Sequence, residues 1–215
     1  MKKPKAEPEI EIIPADAAPQ GGAEWKALRV GKVTASRFAD AVAGGDGKVR
    51  SKYLRELAGE VMTGEPAETF FNRAMERGKD MEGSLRATFE IETGLQVEQV
   101  SFVKRQRPYG VIGASPDGLV GEDAGLEIKK AEPHVLIDIL RAGRVPPEYV
   151  PQLQGNMLVT DRPWWWLAIG FPGMPMFKRK VPRDSAYCAR LEVGLETFQR
   201  DLDEMVAWLR NYGKE

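Results

Sequence analysis

Hydrophobic residues recur at helical spacing through 184 to 210, where Leu191, Leu195, Phe198, Leu202, Met205 and Leu209 share a face. That pattern predicts a long amphipathic C-terminal helix. Helices are also predicted for 51 to 63 and for about 70 to 93, the second closed by Thr93 and Gly94. Upstream, "AEWKALRVGKVTASRFADAVAGG" reads as a short helix, a turn at Gly31 and a second helix capped by Thr34 or Ser36. Strands follow in "LQVEQVSFVKR", "YGVIGASPDG" and "GLEIKKA". "PEYVPQLQGNMLVTD" predicts a helix with Pro151 in its first turn, and "WWWLAIGFP" a further strand. The first twenty residues carry four prolines and alternating charges, which predicts a poorly ordered tail or surface strap. The order is helices, a mostly antiparallel sheet, a helix, a strand and a helix. It predicts an α/β fold, an α+β mixed sheet flanked by helices, with a flexible tail over 1 to 22 and one domain over 23 to 215.

Composition fits that picture: 215 residues with 42% hydrophobic content suffice for one substantial core. The lone Cys188 cannot form an intramolecular disulfide, and no apolar run has the length of a signal peptide or membrane span. A soluble, reducing, cytoplasmic setting with no membrane partner is expected. The net charge of -1 hides an asymmetry. Residues 24 to 55 hold eight basic and three acidic side chains, a local net of +5, whereas 184 to the end is acidic by 3. The basic region permits an anionic ligand. His134 is the only histidine, so a histidine-ligated zinc or a Ser-His-Asp triad lacks support, and His134 is read as structural or surface. Trp164, Trp165 and Trp166 are read as packing and edge-covering residues of a strand rather than as stacking platforms for bases.

The candidate chemistry lies in "GASPDGLVGEDAGLEIKK", residues 113 to 130. Residues two apart on a strand share a face, so Glu127 and Lys129 point together, about 6.6 Å apart at roughly 3.3 Å per residue. Asp117 precedes a glycine-containing loop that lets the chain return and set that acid beside Glu127. Two carboxylates so placed repel unless a cation lies between them, and hard oxygen donors favour Mg²⁺ or Mn²⁺ over zinc. A neighbouring lysine can orient water or stabilise charge on a phosphate, so the set suits metal-assisted phosphodiester hydrolysis. A hairpin bearing an ordinary cross-strand ion pair reads from the same residues.

"SPDG" followed by "GLEIKK" resembles the PD-(D/E)xK nuclease motif. Together with "EWKALRVGKVTASRF", "RGKDMEGSLRATFE" and "EYVPQLQGNMLVT" it resembles the phage lambda exonuclease family of viral-type recombination nucleases over roughly residues 24 to 165. The resemblance implies a restriction-endonuclease-like core and a Mg²⁺-dependent 5′-to-3′ exonuclease on double-stranded DNA ends, leaving 3′ single-stranded tails for strand annealing. By position it implies that Asp117 and Glu127 bind metal, two ions with Mn²⁺ as a substitute for Mg²⁺, aided by the Ile128 carbonyl and by Glu82. It implies that Lys129 assists the attacking water, and that Arg29, Ser36, Ser115 and Gln152 hold a terminal 5′-phosphate. Gln154 is expected to face another side of its helix. Lys48 and Arg50, in a short glycine-rich stretch that departs from the family's usual pattern, are expected to grip phosphates, and Met75 to part the strands. A ring-shaped homotrimer and a single-strand annealing partner are further implications. A PD-(D/E)xK endonuclease of repair or restriction type, and a non-catalytic DNA-binding module, are the alternatives, the latter opposed by the presence of Asp117, Glu127 and Lys129 together.

Overall fold

The computed structural model describes residues 9–44, 47–67 and 73–214, with 73–80 described by backbone alone. In chain order these form β1 (Ile10–Pro14), α1 (Ala23–Arg29), β2 (Val33–Thr34), α2 (Phe38–Ala41), α3 (Lys48–Thr63), α4 (Arg73–Thr93), β3 (Val100–Arg107) and β4 (Gly110–Ala114). There follow β5 (Gly118–Val120), β6 (Ala124–Lys130), α5 (Pro133–Ala142), α6 (Val150–Thr160), β7 (Trp164–Gly170), β8 (Phe177–Pro182) and α7 (Ser185–Asn211). The strands make two four-stranded sheets, ordered β1-β3-β4-β2 and β5-β6-β7-β8. Ser115, Pro116 and Asp117 carry the chain from the first sheet to the second, and a bridge between Glu98 and Leu119 ties the sheets at that crossing.

The mostly antiparallel expectation holds at four of the six strand pairings among the described residues; β6 runs parallel to β7, and β2 parallel to β4. A parallel neighbour requires a crossover, supplied between β6 and β7 by α5 and α6. In β6, Leu126 and Ile128 join Leu85 and Phe89 of α4 in a small core. The register Glu127↔Leu167 turns Glu127 the other way, onto the side where Leu167 meets Leu153 and Met157 of α6 in the main core. Helix α6 is buried from Leu153 to Thr160. Its Gly155 allows that depth, since a Cβ there would stand 2.7 Å from the Phe38 ring.

The N-terminal segment differs from a flexible tail over the residues described. Strand β1 pairs with β3, and Glu9 forms an ion pair with Arg105 at 2.8 Å. The surface-strap expectation is the one these residues follow, because apolar Ile10 packs on the main core while its neighbours carry the charge. Helix α3 begins three residues before the predicted 51, and β1, α5 and β8 have no counterpart among the predicted elements. In α7 the buried stripe runs Leu191, Leu195, Phe198, Leu202, Val206, with Met205 and Leu209 half-buried at its margin. Thr34 and Ser36 do not cap a helix through their side chains: Thr34 lies in β2 and Ser36 in a 3-10 turn. No helix among the described residues is long and apolar enough to cross a membrane.

Candidate active site

Asp117 leaves the crossing at the point where β5 has yet to begin pairing with β6, and its Oδ2 accepts the Ile128 N–H at 2.6 Å. The carboxylate thus takes the place of a missing strand on that side of Ile128. The Ile128 carbonyl, which leaves the strand on the same side as its N–H, faces the same opening. Glu127 is 3% exposed. Its Oε1 accepts from Lys129 Nζ at 2.7 Å and from Gln152 Nε2 at 2.6 Å, and its Oε2 accepts from Asn156 Nδ2 at 3.0 Å. Lys129 also donates to Gln152 Oε1 at 3.1 Å, and its ammonium lies 5.9 Å from the centre of the Tyr149 ring. Two elements therefore build this cluster: the Glu127 and Lys129 pair of β6 on the side that faces α6, and α6 itself, whose residues 152 and 156 are one turn apart and share a face.

The charges in this cluster are strongly interdependent. Burial pushes the Asp117 carboxyl well above its ordinary range, and the negative charges of Glu127 and Glu82 push it further; the Ile128 N–H and Lys129 oppose the rise. Burial pulls the Lys129 ammonium down, but the charge and hydrogen bond of Glu127 outweigh it and leave the amine raised. Glu82, on α4, pairs with Arg86 at 2.5 Å while its charge is felt at Asp117. The donors here are hard oxygens from Asp117, Glu127 and Glu82, with the Ile128 carbonyl beside them, a set whose chemistry fits a divalent cation such as Mg²⁺. Among the described residues no three acidic side chains are arranged to ligate one ion, because Glu127 is turned to Lys129, Gln152 and Asn156, and Glu82 to Arg86.

A second cluster stands at the other end of the crossing. Arg29 donates from Nη1 to Ser115 Oγ at 2.9 Å and from Nη2 to Thr34 Oγ1 at 3.2 Å. Thr34 Oγ1 lies 3.5 Å from Ser36 Oγ, so both hydroxyls are turned to this group instead of to a helix end. The parallel pairing of Thr34 with Gly113 is what brings β2 beside Ser115. The guanidinium rests on the Trp25 ring at 4.6 Å, and burial lowers its pKa to about 10, still cationic at neutral pH. Trp25, Lys26, Arg29, Lys32, Thr34 and Arg37 line part of one pocket. Gln20, from the N-terminal strap, donates to the carbonyls of Pro116 at 3.2 Å and Val100 at 3.3 Å, pinning the crossing from behind.

The structure thus joins Asp117, Glu127, Lys129 and Ile128, places Glu82 within electrostatic reach, and joins Arg29, Ser36 and Ser115. It places Gln152 with Glu127 and Lys129, not with the arginine. Arg50 is committed elsewhere: it donates to Ala41 O at 3.2 Å, pairs with Asp201 at 2.5 Å and lies over Phe198, which ties α3 to α7. Lys48 stands exposed on the first turn of α3. Gln154 faces the far side of α6, bonded to Pro182 O and the Asp184 N–H. His134 lies exposed on the first turn of α5. Trp165 is fully buried, Trp166 meets Phe89 edge to face and Trp164 carries Lys180, so the three tryptophans pack the second sheet. The Met75 side chain lies outside the described residues. Asn156 and Tyr149 went unnoticed in the sequence, although the four-residue step from Gln152 to Asn156 was a usable signal.

Residues 24–163 match the family model of the YqaJ-like viral recombinase domain. No curated protein matches the sequence. Among solved structures, an alkaline exonuclease (LHK-Exo) of Laribacter hongkongensis is 34% identical over 90% of this chain and 98% of its own, with a TM-score of 0.81. That exonuclease has also been solved in complex with dAMP. A phage related exonuclease of Haemophilus somnus 129PT shares the fold at 15% identity and a TM-score of 0.62, over 83% of this chain and 96% of its own.

Proposed function

Since this chain belongs to the family of YqaJ-like viral recombinase domains, with a fold of the PD-(D/E)xK type, we propose that it is a Mg²⁺-dependent exonuclease that degrades one strand of linear double-stranded DNA from its 5′ end. The observation that carries the reading is the spacing of the two clusters. Ser115 and Asp117 lie on one turn, two residues and so at most about 7 Å apart along the chain. An anion held by Arg29 and Ser115 would therefore sit one nucleotide step from the carboxylates. A strand whose terminal phosphate fills the first cluster presents its next phosphodiester to the second.

The chain's own groups divide the work. Asp117, Glu127, the Ile128 carbonyl and Glu82 would hold Mg²⁺, Mn²⁺ being a substitute. When bound, the cation would supply charge to the attacked phosphate and lower the pKa of the attacking water. Lys129, kept protonated by Glu127 and aimed by Gln152, offers a donor to that water or to the phosphate oxygens. Asn156 donates to the far oxygen of Glu127, an outer partner that would orient the carboxylate once a cation draws its near oxygen. Arg29 supplies a planar cation for the terminal phosphate, with Ser36 and Ser115 hydroxyls beside it. Release of 5′ nucleotides would leave 3′ single-stranded tails, the substrate of a strand-annealing partner.

The test compares linear duplexes with 5′-phosphoryl and 5′-hydroxyl ends. The wild type is expected to prefer the phosphate, and Arg29→Ala to lose that preference while still cleaving short substrates. Arg29→Lys should restore it only in part, because an ammonium lacks the bidentate fork. An Arg29→Ala protein with the wild-type preference would place the end-binding site elsewhere.

A further inference from the structure

The Ser115 hydroxyl is approached by two obligate donors: the Trp25 indole Nε1 at 2.9 Å and the Arg29 Nη1 at 2.9 Å. A serine hydroxyl has two lone pairs and one proton, and neither an indole N–H nor a guanidinium can accept. With both lone pairs engaged, the one capacity left to Ser115 is to donate. Among the described residues, no acceptor takes that proton in the hydrogen bonds that Ser115 makes. The indole is itself held in place. Trp25 is 6% exposed, its N–H also reaches the Ser101 carbonyl at 3.2 Å, and its ring lies beneath the Arg29 guanidinium.

We propose that Trp25 is a specificity-determining positioning residue of this site, its indole N–H committing the Ser115 hydroxyl to act only as a donor toward the group bound there. The inference rests on the reading of the Arg29 and Ser115 cluster as a terminal-phosphate site. An ionised phosphate monoester is rich in acceptor oxygens and matches a Ser115 hydroxyl left only to donate, beside the Arg29 cation. A 5′-hydroxyl end brings a proton of its own and finds no acceptor in Ser115. Without the indole N–H, one lone pair of Ser115 is released and the hydroxyl can accept as well as donate, which relaxes the distinction.

The experiment measures the ratio of degradation rates on one linear duplex bearing 5′-phosphoryl or 5′-hydroxyl ends. Trp25→Phe keeps a ring under Arg29 and removes the N–H. The expected result is a fall of about tenfold in the ratio, the size of one hydrogen bond to a charged group. In a Ser115→Ala background Trp25→Phe should bring no further fall. A wild-type ratio in Trp25→Phe, with the ratio lowered in Ser115→Ala, would overturn the role of Trp25 and leave the phosphate site standing. An equal fall with and without the Ser115 hydroxyl would also overturn it, since the tryptophan would then act through Arg29 or the fold. Absence of any end preference in the wild type would remove the phosphate site and this inference together. Should the phenylalanine variant fail to fold, 3-benzothienylalanine at position 25 replaces the N–H by sulfur in a ring of the same shape, and the same comparison decides.

Discussion

The Asp117 carboxyl sits where burial and two other negative charges oppose its ionisation. A group whose folded pKa is raised stabilises the fold fully below its unfolded value, here 3.8, and that contribution is lost as pH rises through the folded value. At about pH 7.5 the stabilising contribution of Asp117 to the metal-free protein is therefore diminished, and Asp117→Asn is predicted to raise the Tm there, by a margin that shrinks as the pH falls toward the unfolded pKa. Added Mg²⁺ should raise the Tm of the wild type and not of the variant, because only a ligand that binds the native state shifts it. Calorimetry over a pH series checks both, and a variant less stable than the wild type at neutral pH would contradict the electrostatic picture. Asn156 permits a second test at this scale. Asn156→Ala is expected to lower the rate about tenfold to a hundredfold and to raise the Mg²⁺ concentration needed, the behaviour of an outer partner of a metal-binding carboxylate. An unchanged metal demand in a Mg²⁺ titration of the rate would make it a packing residue. Glu127 and Lys129 were legible because strand alternation puts them on one face, and Asp117 because the glycine-containing loop brings the chain back beside them. Gln152 was legible as a site residue but not as to which site, since the turn of α6 decides whether it meets Arg29 or Lys129. Arg50 was misread because its partner Asp201 is 151 residues away, and local charge says nothing about so distant a neighbour.

The elements that matter most for the site are the short ones. The crossing from β4 to β5 holds Ser115 at one end and Asp117 at the other, and the strap supports it through Gln20. Gln20→Ala would strip a donor from two carbonyls, at a cost of about 1–3 kcal/mol if water cannot replace it. The urea midpoint should fall accordingly with an unchanged slope. A midpoint equal to the wild type would mean that the strap merely covers this turn. Strand spacing announced β3, β4 and β6, but it ran the second of these strands on through "GASPDG", where β4 ends at Ala114 and the crossing begins. The strap was harder to read, because its partly buried residues, Ile10 and Ile13, do not fall at strand spacing, while Ile12 is exposed. Strand β8 is likewise an edge, and its run of Lys178, Arg179 and Lys180 looks like loop sequence although such charges are what protect an exposed strand. Helix α5 did carry signals of its own, with Pro133 in its first turn and Gly143 at its end in the left-handed conformation.

At the scale of the whole molecule, assembly and polarity reach beyond any single site. The family resemblance led to the expectation of a closed homotrimer that retains its DNA through many cleavage cycles. Sedimentation should then give three times the mass of one chain, and excess unlabelled duplex added to a running reaction should barely slow it. A monomer that stops at once under that challenge would contradict the ring without touching the active site. Polarity and metal dependence define the proposed nuclease, and both are read in one assay. A linear duplex labelled at the 5′ end of one strand and the 3′ end of the other is incubated with the protein, with Mg²⁺ or with chelator, beside a closed circle of the same sequence. Expected are early release of the 5′ label as mononucleotide, retention of the 3′ label, an intact circle, and no reaction in chelator or with Glu127→Gln. Release of the 3′ label first, nicking of the circle, or full activity without divalent metal would contradict a metal-dependent exonuclease that works from 5′ ends.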